Sequence, residues 1–213
     1  MPVRGGGRWL QYWRWHVQNT QDRGIVNTGR HEGDWELVQV RVDGRERPVE
    51  AVYAQHSVAE RCGWRSVRTR RGAPVAYLAN GSHAAYFRRG VRDRMFPDPN
   101  DEAEGRGSVS RPPLEVISID DPGWMRFTGR WGTSRARWPA EQSSPRGPAF
   151  QGESWDDPGA FAAQARPCTG GRCDERGKCD ARELAVGGGA TAVLGVLGLV
   201  GVWWRRRAAR PKT

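Results

Sequence analysis

The sequence is poor in lysine, and it lacks the signatures of several common functional classes. Only two of its 34 basic residues are lysines, and five of the 34 lie beyond residue 204. The rest of the chain therefore carries 29 basic and 24 acidic residues, which is a weak imbalance. No nucleic-acid-binding module accompanies it, so we expect no nucleic-acid partner.

Catalytic and nucleotide-binding signatures are missing as well. The chain contains no G-x-S-x-G elbow, no P-loop and no dinucleotide-binding fingerprint. What it does contain is 11 tryptophans, which disordered chains rarely carry. A packed core is therefore expected.

One long uncharged run occurs near the C-terminus. Residues 184–204 read LAVGGGATAVLGVLGLVGVWW and would span about 31 Å as a helix, close to the thickness of a bilayer core. Tryptophan at positions 203 and 204 suits the membrane interface. The six glycines of the run disfavour a buried helix of a water-soluble domain. We predict a single transmembrane helix over 184–204, with the lipid bilayer as its partner.

The flanking charges predict the orientation of this helix. Three arginines follow at 205–207, and the positive-inside rule then assigns the basic tail, residues 205–213, to the cytoplasm. The N-terminal domain is expected outside the cell membrane. Gly187, Thr191 and Gly195 have the small-xxx-small spacing that permits a helix-mediated dimer.

Export of the N-terminal domain requires a signal that the sequence does not show. The first 15 residues have no apolar segment of the kind that signal peptides contain. Either the true start lies upstream of Met1, or the chain is tail-anchored with a cytoplasmic domain. We favour the upstream start, which leaves the protein in the cell membrane as a single-pass chain.

Residues 159–183 read as a flexible linker that contains three of the four cysteines. Cys168, Cys173 and Cys179 have a spacing that differs from that of zinc sites, and no histidine accompanies them. In an oxidising compartment two of them can form a disulfide, with Cys62 available for the third.

Residues 1–158 have the pattern of a mainly β domain. Residues 36–42 alternate between apolar and polar side chains, as a half-buried strand does. Further strand-like runs, separated by turn signals, cover 9–17, 49–56, 74–80 and 114–119. The polar stretch from Asp98 to Pro113 reads as a disordered loop. We predict an antiparallel β-sandwich, followed by the linker and one C-terminal transmembrane helix.

The segment GRHEGDWELV contains the strongest candidate for a functional site. His31, Asp34 and Glu36 have the spacing H-x2-D-x-E. On a strand, Asp34 and Glu36 share one face, and that face continues with three valines. Two inward carboxylates are costly to bury unless a cation neutralises them. We therefore predict a divalent-cation site.

The metal ligands predicted for this site are His31, Asp34 and Glu36. His56, His83 and Asp22 are further candidates as ligands or neighbours. Oxygen ligands favour Ca²⁺ or Mg²⁺, whereas the histidine allows Mn²⁺ or Zn²⁺. The alternative is that arginines such as Arg23 or Arg30 pair with the two acids, while the histidines form hydrogen bonds in the core.

The tryptophans receive a simpler interpretation. We interpret the following five as packing residues rather than as a ligand platform: Trp13, Trp15, Trp35, Trp124 and Trp131.

Several short blocks resemble the vacuolar protein sorting-associated protein 62 family. They occur in the expected order over roughly residues 9–158, and they read GRHEGDWELVQV, YAQHS, PVAYLANGSHAAYF, FTGRWG and SPRGPAF. The chain resembles a member that lacks the first strands, which is consistent with a start upstream of Met1. The family carries no defined biochemical activity over to this chain.

A more distant resemblance is to the necrosis- and ethylene-inducing peptide-like proteins. Their GHRHDWE motif has the same spacing as His31, Asp34 and Glu36. In that group the motif binds a divalent cation in a β-sandwich and serves the recognition of membrane glycolipids. This chain has Gly33 in place of the second motif histidine, and Asp22 is the nearest match to a further acidic ligand. Toxin activity does not follow from so distant a resemblance.

Three functions compete on this basis. The first is a single-pass membrane protein that displays a non-enzymatic β-sandwich with a divalent-cation site for a glycan or lipid headgroup. The second is a metal-dependent hydrolase with His31 or His83 as the general base. The third is a structural domain whose acids are paired within the protein. We expect the first, and we therefore assign no catalytic residue.

Overall fold

The computed structural model of the chain describes residues 6–21, 29–94, 98–111, 117, 123–133, 143–168 and 178–179, and structural statements refer to these residues. They belong to one compact unit that ends at Cys179. The predicted membrane span (184–204) and basic tail (205–213) lie outside the described residues. Within the described ranges, no helix is long and apolar enough to cross a bilayer.

A five-stranded sheet forms the centre of the domain. Its strands are β1 (Arg8–Asn19), β2 (His31–Val42), β3 (Pro48–Gln55), β4 (Val58–Gly63) and β11 (Arg166–Pro167), in the order β1-β2-β3-β4-β11. The first four strands pair antiparallel, and β11 pairs parallel with β4.

The remaining strands are short and lie between the central strands in sequence or after them. They are β5 (Thr69–Arg70), β6 (Ala73–Pro74), β7 (Tyr77–Leu78), β8 (Ala85–Tyr86), β9 (Gly90–Arg92), β10 (Asp101–Ala103) and β12 (Lys178–Cys179). They pair as β5-β6, β7-β8 and β10-β9-β12. Strand β8 packs on β2 and β3.

The helices are equally short. Among the described residues, single 3-10 turns cover Trp64–Ser66, Gly123–Arg126 and Pro148–Phe150, and the two α-helices are α1 (Glu153–Asp156) and α2 (Pro158–Gln164). The side chain of Asp157 accepts hydrogen bonds from the backbone N–H groups of Gly159 and Ala160, which caps α2.

The central sheet buries both of its faces. The inner face carries Val38, Val40 and Tyr53, which pack with Phe87 against the β8 region. The outer face carries a second apolar cluster in which Trp9, Val52 and Ala59 pack against Ala162 and Ala165 at the C-terminal helix. Because side chains alternate along a strand, one strand supplies both layers.

The mainly β prediction with antiparallel sheets is confirmed. The runs at 9–17, 36–42 and 49–56 correspond to β1, β2 and β3, whereas 74–80 forms only the short β6 and β7. Most of the run at 114–119 lies outside the described residues. The disorder expected between Asp98 and Pro113 is wrong for Asp101–Ala103, which forms β10.

The first part of the predicted linker packs against the domain. Helix α2 covers the outer face, and Cys168 forms a disulfide with Cys62 of β4. The backbone N–H of Cys168 also donates to the carbonyl of Arg61. The packed chain therefore extends beyond residue 158, because Ala162 and Ala165 supply apolar surface that the outer face requires.

Candidate functional site

Antiparallel pairing of β1 and β2 positions the core of the candidate site. His16 lies opposite Asp34 and Arg14 lies opposite Glu36. Asp34 is 7% exposed and Glu36 is 8% exposed, so both carboxylates point inward as expected. The sequence did not predict Arg14 as a site residue, because only the pairing register of β1 with β2 places it beside Glu36.

Two predicted histidines meet the carboxylate of Asp34. His83 Nδ1 lies 2.9 Å from Asp34 Oδ2, and His31 Nε2 lies 4.0 Å from Asp34 Oδ1. The Asn19 side-chain amide donates to Asp34 Oδ2 at 3.4 Å. The His16 ring stacks on His83, with 3.9 Å between the centroids and 5° between the planes. Residues distant in sequence thus converge on one carboxylate.

We call this group the Asp34 cluster. Its members are Arg14, His16, Asn19, His31, Asp34, Glu36 and His83.

Gly33 makes the approach of His31 to Asp34 feasible. Strict alternation would direct side chains three residues apart to opposite faces. Gly33 has φ +67°, a left-handed conformation that interrupts the alternation, and His31 Nδ1 contacts the Gly33 carbonyl at 2.6 Å. A Cβ at Gly33 would lie 2.1 Å from the Trp131 carbonyl oxygen and from a ring atom of Trp15. A second motif histidine has no space at this position.

His83 reaches Asp34 from a constrained loop. Its φ is +59°, which is uncommon for a residue other than glycine. Its backbone N–H donates to the Ala79 carbonyl, while the neighbouring Asn80 N–H donates to Glu102. Thr20 N–H donates to the Gly81 carbonyl of the same loop. These hydrogen bonds hold the loop against the end of β1 and against β10.

The electrostatics of the Asp34 cluster are unfavourable for charge. Burial, followed by the charge of Asp34, raises the pKa of Glu36 well above its ordinary value. Burial lowers the pKa of Arg14, although Glu36 and Asp34 oppose that shift. Burial lowers the pKa of His16 to about 4, and the charges of His83 and Arg14 act in the same direction. The environment therefore disfavours a positive charge on His16 and a negative charge on Glu36.

Several buried nitrogen atoms of this cluster lack partners. Arg14 Nε and Nη2 and His16 Nε2 are inaccessible to solvent and have no hydrogen-bond partner among the described residues. Buried polar atoms normally find a partner, so these three mark a place where the protein's own groups leave polar atoms unsatisfied.

A second buried carboxylate, which the sequence did not predict, lies near the Asp34 cluster and belongs to Asp101. Asp101 is 0% exposed and accepts hydrogen bonds from Ser82 Oγ (2.7 Å), Tyr86 OH (2.6 Å) and Gln21 Nε2 (3.2 Å). His56 Nε2 lies 2.7 Å from its Oδ2. We call these five residues the Asp101 cluster. Asp101 lies in the stretch expected to be disordered, and no local pattern distinguishes it.

The Asp101 carboxylate is well satisfied by these donors. Its burial raises its pKa, but the hydrogen bond and charge of His56, with hydrogen bonds from Tyr86 and Ser82, outweigh burial and lower the pKa. His56 has φ +53° at the two-residue turn between β3 and β4. The predicted ligand His56 is thus engaged by Asp101 rather than by Asp34.

The structure brings part of the predicted ligand set together. His31, Asp34 and His83 meet, with Glu36 behind them, whereas Asp22 lies outside the described residues. The 2.9 Å between His83 Nδ1 and Asp34 Oδ2 is a hydrogen-bond distance. Within the described part of the chain, no group of three or more histidine, cysteine or acidic residues is arranged to hold a metal ion.

The outer face at the same end of the sheet is aromatic. Trp15 and Trp35 lie with ring centroids 4.9 Å apart, and Trp131 lies 5.3 Å from Trp15 and 5.2 Å from Trp35. Trp124 and Phe127 extend this group toward solvent. The packing interpretation fits Trp13, which lies against Trp155, and it fits Trp35 and Trp131. Trp15 is 37% exposed and Trp124 is 42% exposed.

An open pocket of about 310 Å³ lies in this aromatic region. Its lining residues are Gly123, Trp124, Phe127, Arg130 and Trp131. We call it the aromatic pocket.

Comparison with known proteins found no match: no family model, no curated protein and no solved structure is similar to this chain. The geometry of the site therefore carries the functional argument.

Proposed function

We propose that this protein is a single-pass membrane protein of the vacuolar protein sorting-associated protein 62 family. In this proposal the N-terminal β-sandwich domain binds a divalent cation, and residues 184–204 hold it in the cell membrane. The cation is Ca²⁺ or Mg²⁺, and it contacts a glycan or lipid headgroup outside the cell. The domain is non-enzymatic.

The observation that carries the cation site is the convergence on Asp34. His83 Nδ1 and His31 Nε2 come from two separate segments and approach different oxygens of the same carboxylate. Their side chains keep 21% and 15% exposure, so an ion can reach them from solvent. Carboxylate oxygen is the ligand type that Ca²⁺ and Mg²⁺ prefer, and the imidazole nitrogens also permit Mn²⁺ or Zn²⁺.

The charge balance behind Asp34 also supports a cation. Glu36 is buried beside Asp34, and the two negative charges repel each other. Arg14 contributes one positive charge on the neighbouring strand, but its Nε and Nη2 atoms have no acceptor among the described residues. A divalent ion between Asp34 and Glu36 would lower the pKa of Glu36 and stabilise both carboxylates.

The hydrolase alternative lacks a comparable observation. Hydrolysis requires an open ligand position that faces a substrate cleft. The aromatic pocket lies on the outer face and is lined by Trp124, Phe127 and Trp131, so it does not serve the Asp34 cluster.

Metal titration of the purified full-length chain tests the cation site. We expect Ca²⁺ or Mg²⁺ to raise the melting temperature in a saturable way, with about one ion bound per chain by elemental analysis. Asp34→Asn keeps the shape of the side chain and should weaken affinity at least about 100-fold. Asp156→Asn, on an exposed carboxylate of α1, is the matched control and should bind as the wild type does.

The cation proposal fails if chelator leaves the melting temperature of the wild type unchanged. It also fails if Asp34→Asn and Asp156→Asn bind ions equally well. The membrane assignment is tested separately by alkaline extraction of cell membranes. The full-length chain should stay in the pellet, whereas a variant with Leu194→Arg and Leu197→Arg should be released. Retention of that variant would contradict the span.

A further inference from the structure

Three aromatic rings line the open aromatic pocket. The Trp131 ring forms one wall. Trp124 meets it at 75° with centroids 5.7 Å apart, and Phe127 meets it at 88° with centroids 6.3 Å apart. Rings from both ends of a short segment therefore stand nearly perpendicular to a common ring. The volume of about 310 Å³ is at the lower end of the roughly 300–1,000 Å³ that small-molecule sites occupy.

The walls of the pocket are held from behind. Trp131 packs on Trp15 and Trp35 of the sheet, and its backbone N–H donates to the Pro145 carbonyl at 2.9 Å. Trp35 also stacks on Trp124 at 20° between the planes. The sheet therefore orients the pocket, which is the preorganisation that a binding site requires.

Two walls nevertheless remain open to solvent. Trp124 is 42% exposed and Phe127 is 52% exposed, although both rings touch the buried aromatic group. Large aromatic rings left exposed around a concavity indicate a ligand site more than a packing role.

Ring walls at right angles favour a particular ligand group. The face of each ring carries negative charge density, and it attracts a cation within about 6 Å of the ring centroid. Several faces around one space suit a quaternary ammonium, because its methyl groups also fill apolar volume.

Arg130 adds the opposite requirement at the rim. Arg130 is a lining residue of the pocket, and its Nη1 donates to the Ser144 carbonyl at 2.6 Å. The hydrogen bond to Ser144 holds the side chain, and a β-bridge between Arg130 and Arg146 holds its backbone. Arg130 repels a simple cation but forms strong hydrogen bonds with phosphate. A ligand that carries a quaternary ammonium and a phosphate satisfies both the rings and Arg130.

We propose that the aromatic pocket binds the phosphocholine group. The trimethylammonium lies between Trp124 and Phe127 against Trp131, and the phosphate accepts hydrogen bonds from Arg130. The site is on the outer face of the sheet, so it is separate from the Asp34 cluster on the inner face. Phosphocholine binding at the aromatic pocket therefore does not depend on the cation site.

Titration of the full-length chain with free phosphocholine tests this proposal, with tryptophan fluorescence and calorimetry as readouts. A choline-free nonionic detergent keeps the chain in solution. We expect saturable binding to phosphocholine and at least tenfold weaker binding to both choline and phosphoethanolamine. Choline lacks the phosphate for Arg130, and phosphoethanolamine lacks the methyl groups that fill the pocket.

Two variants divide the site into its two parts. Phe127→Ala should weaken phosphocholine binding at least tenfold, with Phe150→Leu, an exposed aromatic of another turn, as the matched control. Arg130→Gln should reduce phosphocholine affinity to the level of choline, with Arg45→Gln in the β2-β3 turn as its control. Thermal melts of each variant establish that it folds.

Vesicles identify the source of the ligand. Phosphatidylcholine vesicles should bind the chain in competition with free phosphocholine, whereas phosphatidylglycerol vesicles should not. If free phosphocholine binds and phosphatidylcholine vesicles do not, the ligand is the soluble group rather than a lipid headgroup.

The proposal is overturned if phosphocholine gives no saturable signal at about 50 mM, well above the millimolar range of weak sites. It is also overturned if folded Phe127→Ala and Arg130→Gln variants bind phosphocholine as the wild type does. Binding of a neutral or sulfated glycan without phosphocholine binding would assign the rings to sugar stacking instead. Asp34→Asn should leave phosphocholine affinity unchanged.

Discussion

At one end of the β1-β2 strand pair, the two faces of the sheet bury different kinds of side chain. The inner face places Asp34 and Glu36 beside Arg14, so its stability depends on charges and hydrogen-bond partners. The outer face places Trp15 and Trp35 in a stack of aromatic rings, so its stability depends on buried area. Successive residues of the same two strands supply both arrangements.

The two faces should differ in how their stability responds to pH and to ions. Charged groups buried with incomplete partners respond to protons and ions, because each protonation state has its own desolvation cost. Aromatic packing has no such dependence. We therefore expect the stability of the inner face to respond to pH and divalent cations, and the aromatic packing of the outer face to be indifferent to both.

Gly33 precedes Asp34 of the inner face and lies close to Trp15 and Trp131 of the outer face. Its substitution should have the largest effect on stability. Gly33→Ala introduces a Cβ 2.1 Å from Trp15 and from the Trp131 carbonyl, at a φ of +67°. Left-handed strain of about 1–2 kcal/mol adds to overpacking of about 1–3 kcal/mol, so we expect about 2–5 kcal/mol of lost unfolding free energy. Urea denaturation followed by tryptophan fluorescence measures it.

Gly44→Ala is the control, because nothing lies within 4 Å of a Cβ at that position. Its unfolding free energy should stay within about 0.5 kcal/mol of the wild type. Equal stabilities of the two variants would show that Gly33 does not lie this close to Trp15 and Trp131.

Loss of Asp101 should be almost as damaging. Asp101→Ala removes the acceptor of Gln21, Ser82 and Tyr86 and the partner of His56, all in a buried place. Breaking such a buried charge network costs about 3–4 kcal/mol. The free energy of unfolding in urea checks this, with Asp156→Ala on the surface as the control. A loss below about 1 kcal/mol would mean that the donors find other partners.

The pH dependence of stability should separate the faces. The pKa of His16 is about 4 in the folded chain and about 6.5 when unfolded. The unfolded chain therefore takes up the proton first, and stability should fall as the pH drops from about 6.5 to 4. The part due to His16 is on the order of 2 kcal/mol.

His16→Phe keeps the stacked ring and removes the titration, so its stability should fall less over that pH range. Trp15→Phe on the outer face should change stability by the same amount at pH 5 and pH 7. Chemical denaturation at several pH values measures both. A wild-type slope retained by His16→Phe would assign the titration to another group.

Glu36→Gln should have the smallest effect and the opposite sign. The raised pKa of Glu36 means that its stabilising contribution exists at low pH and is lost as the pH rises through the folded pKa. Without added metal, Glu36→Gln should therefore stabilise the chain by about 1–2 kcal/mol at pH 8 and by little at pH 5. Melting curves at the two pH values test this.

Glu50→Gln provides the contrast, since Glu50 pairs with Arg41 and its loss should be neutral or slightly destabilising. Added Ca²⁺ or Mg²⁺ should stabilise the wild type more than Glu36→Gln. If Glu36→Gln destabilises the metal-free chain at pH 8, then Glu36 is ionised and well partnered, contrary to its environment in the structure.

Some of the fold and site was readable from local pattern. The alternation in residues 36–42 predicted β2 and the inward direction of Asp34 and Glu36, because strand periodicity depends only on the backbone. The H-x2-D-x-E spacing likewise singled out His31, although its meeting with Asp34 depends on the conformation of Gly33. The membrane span over 184–204 stays a prediction.

Other features had no local signal. Asp101 lies 80 residues from Gln21 and 45 from His56, so its role exists only after the loops meet. Helix α2 is too short for a helical pattern to distinguish it, and its place depends on apolar surface exposed by β3 and β4.

The sequence by itself determined which side chains of β2 face inward, because that follows from a period of two along one strand. Tertiary structure decided what those side chains meet: Arg14 and His16 by register, and His83 through a loop held by distant hydrogen bonds. It also decided that Trp124 and Phe127 stand around a pocket. The physical reason is that partners of buried polar and aromatic groups come from segments whose approach depends on packing of the whole core.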